Sequence, residues 1–344
     1  MTSIIPGIAL LLLLGMSAAV VPAQSYKITG SIPIGGTGHW DYLIVDPDNR
    51  RLYVAHNSKV VVINVDTQEI LGNIAVDGFS HGIALDNDHR LGFITDGDSK
   101  TSNVKSPEQV LTFELNTLKR TATTTVGDDP DAIVYDAPST RTFAFNGDPM
   151  QASAIAAKTS QVEKLIELGG NPEFSTSDGI GNVYVNIKNK SEIARIDSKT
   201  LKVTAHWPLA PCEKPSGLAV DRTNHRLFSV CGNGKMVVVD ADSGKVVAAL
   251  PVGALPDGAA YDPGTKLTFS SNRDGTLTVV RQNTKDEYTV LQTVKTAVGA
   301  RTMALDTKTH KVYLPSAEFG PKPAGSNYPS VVPGSFKVLV LQPE

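Results

Sequence analysis

Residues 42–76 read YLIVDPDNRRLYVAHNSKVVVINVDTQEILGNIAV, and four strand-like runs follow one another within them. Tyr42–Asp46 is an apolar run ending in aspartate. Pro47-Asp48-Asn49 is turn chemistry. Arg51–Ala55, Val60–Val65 and Ile70–Val76 are the second, third and fourth runs. The unit recurs along the chain, marked by Asp46 (LIVD), Asp86 (IALD), Asp136 (IVYD), Asp178 (STSD), Asp221 (LAVD), Asp262 (AAYD) and Asp306 (MALD). Successive markers are 40, 50, 42, 43, 41 and 44 residues apart. A period of ~40–45 residues with four strands per unit predicts a β-propeller, here all-β with seven four-stranded antiparallel blades. Equivalent positions of different blades then form rings around a central channel, so residues distant in sequence meet in space.

The bounds agree. The chain has 344 residues, 29 of them Gly and 21 Pro, as many short strands and turns require. No amphipathic helix of useful length is legible. A net charge of −3 excludes a broad polybasic surface, so no nucleic-acid partner is expected. Residues 1–23 are expected to be a secretory signal peptide: Ile8–Leu14 is apolar, and Val21-Pro22-Ala23 is a small-residue cleavage pattern. Residues 24–344 are then one exported propeller domain, periplasmic or secreted. It is expected to have no membrane span and to be a monomer.

The ends predict how the ring closes. The last unit has only Ser335–Gln342 after its second strand and lacks a fourth. Tyr26–Ile34 (YKITGSIPI) reads like the fourth strand of the first blade and is expected to complete the last. Pairing the ends leaves no open sheet edge between first and last blades. Two units carry insertions after their second strands, Ser99–Glu108 and Phe319–Gly334, and both should project from one face.

Arg51-Leu52-Tyr53-Val54-Ala55-His56-Asn57, with VVVINVDT after it, resembles the exported YncE-like propellers built from YVTN repeats. Val183-Tyr184-Val185-Asn186 and Val312-Tyr313-Leu314 echo the motif. The resemblance spans essentially the whole domain and departs at the motif's Thr-Asn, here Ala55-His56-Asn57. It implies a seven-bladed exported propeller and no single chemistry, since propellers serve as binding modules, lactonases, lyases and dehydrogenases alike.

Two rings are expected at one face of the channel. Five residues before each marker stand Asp41, His81, Asp131, Glu173, Ser216, Asp257 and Arg301. Near the ends of the second strands stand His56, Asp96, Asn146, Lys188, Cys231, Asn272 and Ser316. His89, His225 and His310 follow markers and belong to solvated turns on the opposite face. His39, His56 and His81 map to the ring face beside Asp41 and Asp96. Imidazole with carboxylate suits a divalent Zn²⁺, Cu²⁺, Mn²⁺ or Fe²⁺ ion, and equally an acid–base pair or plain channel lining. Trp40 either lines the pocket or packs between blades. Arg273 and Arg301 either grip an anionic ligand or offset the acidic ring. Cys212 and Cys231 sit at the paired ends of two strands of one blade, and an exported chain favours a disulfide between them.

The sequence therefore reads as a binding or scaffold propeller with a ligand site at its Asp/His-lined mouth. A small molecule, protein or peptide is the expected partner there. Two alternatives stay open: a metal-assisted lactonase- or lyase-type enzyme using His39, His56 and His81, and a subunit that docks a redox partner.

Overall fold

The structure is a computed structural model that describes residues 25–98, 106–323 and 329–344. The expected signal peptide, 1–23, lies outside the described residues, as do the central parts of both insertions. The described residues form seven four-stranded antiparallel sheets. Two short 3₁₀ turns, Ala137–Ser139 and Lys188–Lys190, interrupt them. No helix among the described residues is long and apolar enough to cross a membrane.

Each blade runs from a channel-side strand to an outer one. In the first blade these are Trp40–Asp46, Arg51–His56, Lys59–Asn64 and Ile70–Ala75. The third strand carries a continuous apolar run, Val60–Ile63, because both its faces are covered by neighbouring blades. The outer strand is largely exposed and buries only Ile74.

The last blade closes as expected. Its order from the channel outward is Ala304–Asp306, Lys311–Ser316, Lys337–Pro343 and the N-terminal strand Tyr26–Pro33. The register runs from Tyr26 opposite Pro343 to Pro33 opposite Lys337. Tyr26 and Ile32 are the buried anchors. Tyr26 also ties the strand to the sixth blade: its amide donates to Gln292 Oε1 at 2.8 Å, and its ring meets Phe269 edge-on at 5.0 Å.

The marker aspartates have a structural reason to recur. Six of them are at most 1% exposed and face the next blade. Asp46 Oδ1 accepts from its own turn, the amides of Asp48 and Asn49, and from Asn87 Nδ2 of the second blade at 3.3 Å. Asp136 accepts from Ser177 at 2.6 Å and Asp221 from Gln282 Nε2 at 2.9 Å. Asp262 pairs with His310 at 2.7 Å, and Asp306 with Arg50 at 2.8 Å across the closing seam. These buried carboxylates are thereby satisfied, as burial requires. They knit blade to blade on the far face.

Two expectations are corrected here. In the fourth blade the marker Asp178 keeps its place, six residues after Pro172, but is only part-buried, and the buried side chain there is Ser177, one residue before it. The far-face histidines are not merely solvated turn residues: His89 and His310 are bonded to buried Asp86 and Asp262. His225 pairs with exposed Asp242.

Cys212 and Cys231 form the expected disulfide, with Cα atoms 5.4 Å apart. It fastens the loop entering the fifth blade to the end of that blade's second strand, where Pro215 pairs with Cys231.

Candidate functional site at the channel mouth

A cavity of about 170 Å³ lies where the loops entering the inner strands converge. Its walls include Asp41, His81, Asp131, Glu173, Asp257 and Arg301, so six of the seven positions of the first expected ring meet there. The seventh, Ser216, donates to Asp257 Oδ1 at 2.8 Å. Polar side chains of the second strands hold the ring's backbone in place. Thr95 Oγ1 donates to the Asp131 carbonyl at 2.6 Å, and Asn186 Nδ2 to the Ser216 carbonyl at 2.8 Å. Ser271 Oγ donates to the Arg301 carbonyl.

Of the second expected ring only Lys188 reaches the cavity. His56, Asp96, Asn146, Cys231, Asn272 and Ser316 are at most 1% exposed and face into the blades. Side-chain alternation explains this. His56 pairs directly with Trp40, which precedes Asp41, so when Asp41 faces the channel the Trp40–His56 pair faces inward. In the fourth blade the equivalent residue is Ile187, opposite Pro172; Lys188, one residue on, does line the cavity. Asp96 is a bracket, accepting from the amides of Asp77 and Gly78 at 3.0 and 2.8 Å and from Gln109 at 2.8 Å. It thereby shapes the loop that delivers Phe79 and His81. Asn146 donates to Ser153 within its own blade.

His39, His56 and His81 therefore do not gather as a metal trio. His56 stacks on Phe336 at 4.1 Å, with neither ring nitrogen in a well-formed hydrogen bond among the described residues. His39 lines the cavity; burial, then the positive charge of Arg301, lowers its pKa and favours the neutral ring. Trp40 is 3% exposed and stacks on Phe336 at 5.2 Å, so it packs the seam of the first and last blades while its edge borders the cavity.

Asp41, His81 and Asp131 do gather. They hold the same position in the first three blades, and one ligand atom from each lies within 4.8 Å of the others. His81 Nδ1 is 2.8 Å from Asp41 Oδ2 and 3.8 Å from Asp131 Oδ1. Its Nε2 is 3.3 Å from the Asp98 carbonyl, which only accepts, so Nε2 carries a hydrogen. Burial alone would depress the His81 pKa. The hydrogen bond and charge of Asp41, then the charge of Asp131, outweigh that and push it up to about 9.

Cations complete the mouth. Arg273 Nη2 is 3.1 Å from Asp257, Arg301 lies 3.7 Å from Asp41 and 3.8 Å from Asp257, and Lys188 Nζ is 2.5 Å from Glu173. The lining thus sets three fixed cations against four carboxylates. Below them Tyr42 of the first blade packs against Phe174 of the fourth, centroids 4.4 Å apart and rings tilted by 42°, and so bridges the channel as a floor. Burial, then the negative charges of Asp131, Asp41, Glu173 and Asp257, keep the Tyr42 hydroxyl protonated well past its usual range. Sequence reasoning missed this pair. The available signal was an aromatic directly after the ring acid in both blades, Asp41-Tyr42 and Glu173-Phe174.

A second cavity, about 130 Å³, opens on the far face between the fourth and fifth blades, bordered by Asp178, Arg195, Arg222 and His225. It coincides with the blade whose marker aspartate is only part-buried.

No protein-family model and no curated protein sequence matches the chain. Many solved structures share its fold. A chain of Kuenenia stuttgartiensis hydrazine synthase aligns at 17% identity and TM-score 0.66, over 82% of this chain and 92% of that one. The WD40 repeats of RRP9 align at 9% identity and TM-score 0.69, over 92% of this chain and all of that one. At such identities the likeness shows the seven-bladed propeller fold alone, an architecture that commonly serves as a scaffold or binding module.

Proposed function

We propose that this protein is an exported binding propeller of the YVTN-repeat type that takes a small zwitterionic ligand, a free amino acid or a peptide end, at its channel mouth. The observation that carries the reading is the convergence of both charge signs from six blades on one aromatic-floored cavity. Arg273 and Arg301 on one side suit a carboxylate, since guanidinium–carboxylate contacts are charge-assisted and planar. Asp131 and Glu173 on the other suit an ammonium group. Tyr42, Phe79 and Phe174 offer flat apolar surface to the part between. Pairing within the empty mouth keeps these charges satisfied until a ligand exchanges with them.

Calorimetric titration of free amino acids and dipeptides into the mature protein tests the reading. A member of the panel should bind saturably and weaken about 10-fold or more in the Arg273→Ala variant, the effect of one lost charge-assisted contact. Binding unchanged in that variant, or none across the panel, overturns it.

A further inference from the structure

We infer that Asp41, His81 and Asp131 hold a first-row divalent cation of the Zn²⁺ or Mn²⁺ class in the wall of the mouth. This rests on the mouth being the ligand site and adds the ion to it. The Asp98 carbonyl at 3.3 Å and the Asp41 carboxylate at 2.8 Å both only accept, so the ring rests with a hydrogen on each nitrogen, and a cation at Nδ1 takes the place of the proton held between His81 and Asp41. An imidazole nitrogen facing two carboxylate oxygens is a place for a cation. Backing a ligating histidine by a backbone carbonyl on its other nitrogen is also how such rings are fixed for coordination. The Phe79 ring, 4.9 Å from the imidazole centroid, further holds its plane, and His81 is only 7% exposed.

The spacing fits one ion. Ligand atoms about 2.0–2.2 Å from a zinc ion lie roughly 3.3 Å apart; His81 Nδ1 is 2.8 and 3.8 Å from the two carboxylates and all three atoms lie within 4.8 Å of one another, so small side-chain shifts bring them onto one ion. One nitrogen and two carboxylates favour Zn²⁺, Mn²⁺, Fe²⁺ or Cu²⁺ over Ca²⁺ and Mg²⁺, which prefer oxygen alone. Three protein ligands leave coordination positions open toward the cavity. A divalent ion in place of the His81 proton would also leave the lining, four carboxylates against three fixed cations, net positive. The ligand's carboxylate then has a metal as well as two arginines to meet.

The test is titration of Zn²⁺, Mn²⁺ and Ca²⁺ into chelator-stripped mature protein, comparing wild type with His81→Ala, Asp131→Asn and His56→Leu. One ion per chain should bind, Zn²⁺ more tightly than Mn²⁺ and Ca²⁺ weakest. Affinity should fall about 10-fold or more in His81→Ala and Asp131→Asn and persist in His56→Leu, which lies outside the trio. The charge-neutral Asp131→Asn change keeps the test decisive if His81→Ala fails to fold. Saturable binding in none of the proteins, or equal binding in Asp131→Asn, overturns the inference. Repeating the ligand titration with a chelator present separates the two readings. Ligand binding without any metal binding sinks the ion alone; metal binding without any ligand binding sinks the zwitterion reading and leaves the ion site standing.

Discussion

His56 shows how one side chain can mislead a sequence reading and still leave a measurable trace. Its place at the end of a second strand, mapped beside His39, His81, Asp41 and Asp96, suggested chemistry, but it is buried on Phe336 against the blade-seam core. Burial, then the nearby Lys59 charge, pushes its pKa down to about 4, with only a small opposing effect from the Gly38 backbone. A histidine whose native pKa lies below its unfolded value near 6.5 resists protonation in the native state. The His56 contribution to stability is therefore fully present above about pH 6.5 and is lost as pH falls toward 4, by roughly 3 kcal/mol in total. Chemical denaturation between pH 7.5 and 4.5 checks this. The His56→Leu variant should lack that part of the acid sensitivity. Equal pH slopes in variant and wild type would show that the imidazole does not titrate between the two states.

At the level of the element, the N-terminal strand does most for closure. It supplies the outer edge of the last blade and buries Tyr26 and Ile32, side chains whose burial is each worth roughly 1.5–3 kcal/mol. Deleting residues 25–33 should sharply lower the melting temperature and promote aggregation through the exposed edge of Lys337–Pro343. Scanning calorimetry with light scattering measures both, and an unchanged melting point would refute closure by this strand. This element was legible because a missing fourth strand and a spare strand-like run are both visible in the sequence. The first mouth ring was legible for a similar reason, since counting five residues back from each marker aspartate finds the strand entrance. The count holds even in the fourth blade, where Glu173 lines the mouth although the marker Asp178 is only part-buried. The second ring was not legible. Whether a strand end faces the channel or the blade interior depends on cross-strand register, which a bulge between Trp40 and Leu43 shifts and which sequence spacing does not report. The trio is completed by Asp131, a member of the first ring, and not by His56.

For the whole molecule, the two faces have divided tasks. The far face holds the blades together through buried aspartates, and the mouth gathers charges that neighbouring blades present at one repeated position. A propeller separates these roles because ring position follows from sequence position within each repeat, so the site can change while the belt persists. The central claim is that ligands enter at the mouth and not at the smaller far-face cavity beside Arg195. The most direct measurement is a thermal-shift screen of small zwitterions and dicarboxylates against three proteins: wild type, Arg273→Ala at the mouth and Arg195→Ala on the far face. The account predicts stabilising compounds whose effect disappears in Arg273→Ala and persists in Arg195→Ala. Stabilisation that survives Arg273→Ala and vanishes in Arg195→Ala would contradict it and move the binding site to the opposite face.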